Sequence, residues 1–119
     1  MDADFSDLVG VTLTSIVRSD DDGDQLVFTA NDGRVWKMLH WQDCCESVYI
    51  EDIVGKLDDL LHTPILQADE ESNSDGSSED NSFTWTFYKL ATTNGYVTIR
   101  WYGSSNGYYS ESVSFYRAN

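Results

Sequence analysis

The sequence predicts an α+β fold: an antiparallel β meander, one central amphipathic helix and a second antiparallel β meander, in a single domain spanning residues 1–119. Three observations predict it. Apolar and polar residues alternate in the first 41 residues and again after residue 82, as in half-buried strands. Between these parts the apolar spacing changes to three and four, through Tyr49, Ile53, Leu57, Leu60 and Leu61. Turn signals rich in Asn, Asp and Gly punctuate the alternating parts.

The elements follow in order. Phe5, Leu8 and Val9 form the apolar side of a helical turn that Gly10 ends. Residues 11–18 alternate as a first strand, and 20–24, four Asp and one Gly, form a turn. Residues 25–30 return as a second strand with Leu26 and Phe28 on one face. Asn31-Asp32-Gly33 then predicts a hairpin turn into a third strand over 34–41. Asp43 or Ser47 caps the expected helix, Val54 widens its apolar stripe, and Pro64 requires it to stop. Gly55 within it implies that another element packs closely there. A strand begins at 65–68. Residues 69–82, nearly devoid of apolar side chains, read as a mobile acidic loop. The second meander comprises 83–92, a tight Asn94-Gly95 turn, 96–102, a second turn and 108–117.

Charge narrows the function classes. The chain has 21 acidic against 7 basic residues, a formal net charge of -14. Such a body repels phosphate chains, which argues against direct nucleic-acid binding and favours a basic partner. Hydrophobic residues make up 40% and aromatic residues 13% of the chain, enough for a core, so a wholly disordered acidic chain is not expected. No apolar run approaches the ~20 residues of a membrane span. The acidic start lacks the pattern of a secretory signal, and the adjacent Cys44 and Cys45 read as reduced thiols in a cytosol.

Catalytic signatures are absent: the sequence holds no phosphate-binding Gly loop, HExxH or GxSxG, and no catalytic residue is assigned. Asp20, Asp22 and Asp24 resemble the start of a calcium loop, but Asn31 stands where its closing Glu belongs. His40, Cys44, Cys45 and His62 have zinc-ligand chemistry without zinc-site spacing, so neither metal nor cofactor is expected. The candidate ligand site is the polar face of the last hairpins. There Arg100 would hold phosphate, and Tyr96, Tyr102 or Tyr108 would stack on a base. The bland reading of that face is a solvated sheet surface rich in strand-forming Tyr, Ser and Thr. An alternative partner surface is acidic: Asp58 and Asp59 on the helix, with Asp69, Glu70 and Glu71 in the loop, imitating a phosphate array. Its bland reading is solubility alone.

Two stretches carry a resemblance. One is Asp43-Cys44-Cys45-Glu46-Ser47-Val48-Tyr49-Ile50-Glu51-Asp52-Ile53, followed by Leu57-Asp58-Asp59-Leu60 and Pro64-Ile65-Leu66. The other joins Thr84-Trp85-Thr86-Phe87-Tyr88-Lys89 to the run from Gly95-Tyr96-Val97-Thr98-Ile99-Arg100-Trp101-Tyr102 through Ser110. From about residue 43 onward, the acidic loop apart, the chain resembles a family of small, acidic, phage-encoded proteins. In size and element order it is similar to the first Thoeris anti-defence family. That resemblance implies a non-catalytic sponge, assembled as a homo-oligomer, that sequesters a nucleotide-derived immune signal in the host-cell cytoplasm. The alternative expectation is a nucleic-acid mimic that docks on a basic host protein such as a nuclease or CRISPR effector.

Overall fold

Alternation in the first forty residues becomes three hydrogen-bonded strands in the computed structural model, which describes residues 2–20, 23–75 and 82–119. These are β1 (Leu13–Ser19), β2 (Gln25–Ala30) and β3 (Val35–Leu39). Leu26, Phe28, Ala30, Trp36 and Met38 point into the core, as period two requires. The β2–β3 turn closes as the sequence predicts. Gly33 stands at φ 94°, where a Cβ would be strained, and its N–H donates to the Ala30 carbonyl at 3.1 Å. The expected first helical turn is a 3-10 turn, Phe5–Leu8, with both end residues buried. Of the predicted turn at 20–24, Asp21 and Asp22 lie outside the described residues.

The central amphipathic helix is not formed, and this overturns the α+β prediction. Its residues form strand β4 (Ser47–Val54) and a short 3-10 turn, Leu57–Leu60. No α-helix occurs among the described residues. The helical spacing has a specific origin. A bulge in β4 inserts one residue between Ile50, opposite Trp101, and Asp52, opposite Arg100. The inward residue after Ile50 is therefore Ile53, three positions on, and the 3-10 turn then places Leu57 and Leu60 three apart. A bulge followed by a 3-10 turn thus imitates a helix stripe, while the β-branched Val48, Ile50, Ile53 and Val54 suit a strand.

The chain continues through β5 (Gln67–Asp75), β6 (Ser82–Thr92), β7 (Gly95–Ser105) and β8 (Ser114–Arg117). The expected acidic loop is corrected over 69–75, which pair along β6 as part of β5; residues 76–81 lie outside the described residues. The last strand is also shorter than predicted. It leaves β7 and pairs with β3, so the two meanders are interlocked. The result is two four-stranded antiparallel sheets, ordered β1-β2-β3-β8 and β4-β7-β6-β5.

One core joins the sheets. Trp101 of β7 is 1% exposed, and its indole N–H reaches the Met38 sulfur of β3 at 3.3 Å. The Phe5 ring lies 4.7 Å from that of Tyr88 and 5.2 Å from that of Phe115, sealing one end of the two sheets. Inward faces supply Leu13, Leu26, Phe28, Leu90, Val97 and Ile99, all fully buried. Among the described residues no helix is long and apolar enough to cross a membrane.

Candidate functional site

The outer face of the second sheet collects the chemistry. Along β7 the inward set is Val97, Ile99 and Trp101, so Tyr96, Thr98, Arg100 and Tyr102 face outward, as alternation predicts. Strand pairing decides what stands beside them. Tyr102 lies between Tyr49 of β4 and Trp85 of β6, and Trp85 is followed by Asn73 of β5. One step along, Arg100 lies between Asp52 and Phe87, and Phe87 is followed by Glu71. Thr98, Lys89 and Asp69 share the next row.

These rows form an aromatic centre. Trp85 packs on Tyr102 with ring centroids 4.7 Å apart; Tyr49 is 5.8 Å and Phe83 6.4 Å from Tyr102. Arg100 lies over the Trp85 ring, with its guanidinium carbon 5.7 Å from the centroid. Asn73, Trp85, Phe87 and Arg100 line a shallow cleft of about 200 Å³.

The cations on this face are already engaged. Arg100 Nε donates to Glu51 Oε2 at 2.5 Å, and its Nη2 lies 3.6 Å from Asp52 Oδ2. Two consecutive residues reach one guanidinium because the β4 bulge turns both toward β7. The hydrogen bond from Arg100 to Glu51, opposed by partial burial, pushes the guanidinium pKa still higher. Lys89 donates to Glu71 Oε2 at 3.0 Å, which likewise raises its pKa. Glu51, Asp52, Asp69 and Glu71 therefore face two cations, and the surface around the rings is net acidic.

Of the residues proposed for a ligand, the structure brings Arg100 and Tyr102 together. Tyr96 lies on the same face, four residues or about 13 Å along the strand, and is 51% exposed. Tyr108 is not on a strand; it stands in the segment after β7, 87% exposed. The five acids proposed for a partner surface fall in three places. Asp58 and Asp59 occupy the 3-10 turn, where the Asp59 carbonyl accepts from Thr92 Oγ1 beside the β6–β7 turn. Asp69 and Glu71 join the aromatic face. Glu70 turns to the other face of β5, where burial pushes its carboxyl pKa up. Trp85, Phe87, Tyr49 and Asn73 were not singled out from the sequence. The alternation of Phe83, Trp85 and Phe87 is the signal that marks three outward rings.

The histidines and cysteines serve elsewhere. The His40 ring lies between two acceptors, with its Nδ1 2.7 Å from the Ser112 carbonyl and its Nε2 2.8 Å from Glu46 Oε2. Burial disfavours the Glu46 carboxylate, but N–H donation from Cys44 and Asp43 and the His40 contact outweigh it and hold its pKa down to about 2. Cys44 and Cys45, expected as reduced thiols, lie in the same segment with their sulfurs side by side. His62 lies apart, after the second 3-10 turn, at φ 70°. Asp24, read as part of a calcium-like turn, instead pairs with Arg18 at 3.3 Å and accepts the Ile50 N–H at 2.8 Å.

No curated protein and no solved structure matches the chain. A family model described as a domain of unknown function, DUF7448, matches residues 6–115, and the chain belongs to that family.

Proposed function

We propose that this is a non-catalytic binding protein, phage-encoded, that acts against a host defence in the host-cell cytoplasm by docking on a basic host protein. The observation that carries the proposal is the outer face of the second sheet. Its rings are grouped at the centre, and four carboxylates surround two engaged cations. Aromatic anchors within a polar, charged rim are the arrangement of a protein interface, and the sign of the rim selects a basic partner. The net charge of -14 adds long-range attraction to such a partner. The phage and anti-defence context comes from the sequence resemblance.

The same geometry weighs against sequestration of a nucleotide signal at Arg100. A phosphate there must displace Glu51 and Asp52 and then sit beside them. Retention of host proteins on the immobilised protein at low and high salt tests the docking proposal. A basic protein retained at low salt and released at high salt is expected. Retention of no basic protein even at low salt removes it.

A further inference from the structure

Most cations of this chain are paired with acids, and the exceptions are informative. Arg18 pairs with Asp24, Arg34 with Asp32, Lys89 with Glu71 and Arg100 with Glu51 and Asp52. Among the described residues, Lys37, Lys56 and Arg117 contact no carboxylate within 4.0 Å. Arg117 instead covers the Trp36 ring at 5.5 Å. Lys37 projects from the outer face of the first sheet, opposite Tyr116 of β8, and lines a cleft of about 380 Å³. That volume lies within the ~300–1,000 Å³ usual for small-molecule sites, unlike the cleft at Arg100.

The lining is suited to a flat ring. Trp41, just after β3, is 62% exposed, and its ring lies 5.7 Å from that of Tyr116 at an interplanar angle of 31°. Leu39, Gln25 and Gln42 complete the cleft with one apolar side chain and two amides. The ionisable side chains facing it, besides Tyr116, are Lys37, Asp24 and His40. Asp24 is spent on Arg18 and the Ile50 N–H, and His40 on Glu46 and Ser112. Among the described residues, the charged group of the cleft without an ionic partner is therefore the Lys37 ammonium, beside two aromatic rings.

We infer that this cleft is a second binding site, separate from the docking face, for a planar aromatic ring carrying an anionic group. The ring stacks against Trp41 and Tyr116, and the anion, phosphate or carboxylate, pairs with Lys37. Local complementarity acts at contact distance, while salt screens the repulsion of the distant acids beyond ~8 Å at physiological ionic strength.

The test follows the indole N–H resonance of Trp41, assigned with Trp41→Phe, during titration with adenosine monophosphate, indole-3-acetate, uncharged adenosine and inorganic phosphate. A saturable shift with either anionic ring compound is expected, with adenosine and phosphate each about tenfold weaker. The tighter of the two anionic ring compounds is then titrated into variants of Lys37. Lys37→Met should reduce its affinity to that of the uncharged ring, and Lys37→Arg should retain it. Lys37 is on the outer face, so loss of fold is not expected in either variant, and circular dichroism checks this. No saturable Trp41 shift at millimolar ligand, a response confined to Trp85, or unchanged affinity in Lys37→Met overturns the site.

Discussion

Glu46 illustrates how much one carboxylate organises here. It is buried, accepts two backbone N–H groups and the His40 contact, and so fixes the segment that joins the two sheets. Its folded pKa, about 2, lies below the ordinary 4.5. The stabilisation is therefore complete above the ordinary value and is lost as pH falls from 4.5 toward 2. Thermal melts of the wild type and Glu46→Gln check this: the variant should melt lower at neutral pH, and the gap should close across that acid window. A gap independent of pH would show that the carboxylate charge contributes nothing. Gly55 gives a second test. It stands at φ 100°, and a Cβ there would meet the Tyr96 carbonyl oxygen at 2.5 Å. Gly55→Ala should cost roughly 2 kcal/mol or more in denaturant unfolding. The close packing that the sequence implies at this glycine is present, but the residue follows the end of β4 and is not within a helix. Arg100 and Tyr102 were legible from alternation alone. Glu51 as the partner of Arg100 was not, because it depends on a bulge whose position local sequence does not mark.

At the scale of elements, the legible parts are those whose signals are local. β2 and β3 followed from period-two patterning, and the β2–β3 and β6–β7 turns from Asn, Asp and Gly. β1 followed only in part, because a bulge between Leu13 and Ser15 turns Ile16 toward the core and leaves Val17 exposed. Residues 103–105, expected in a turn, extend β7. β4 was misread because the bulge breaks period two where a 3-10 turn supplies spacings of three. β5 was misread because Asp, Glu, Ser and Asn have low strand propensity. Its strand state comes from β6, which pairs with it from Gln67 to Asp75. β5 is an edge strand, and its carboxylates discourage further copies from pairing there. The partner of β8 was not legible either, since pairing with β3 joins residues about eighty apart, and nothing in 114–117 names that partner.

For the whole molecule, charge and shape have separate roles. The excess of acids sets which partners are attracted, and this was legible from composition. Where a partner is held depends on pairing across β4, β7, β6 and β5, which assembles rings from Tyr49, Phe83, Trp85, Phe87 and Tyr102 into one face. Separating the two roles is the most direct test of the docking proposal. The double variant Trp85→Ala/Phe87→Ala removes the anchors without changing net charge. Retention of host proteins should be compared between it and the wild type at matched low salt, with circular dichroism confirming the fold. The expected result is loss of the specifically retained basic protein, by at least about tenfold for anchors worth 2 kcal/mol or more. Equal retention by both proteins would show that charge alone attracts the partner, and would contradict a docking face on the second sheet.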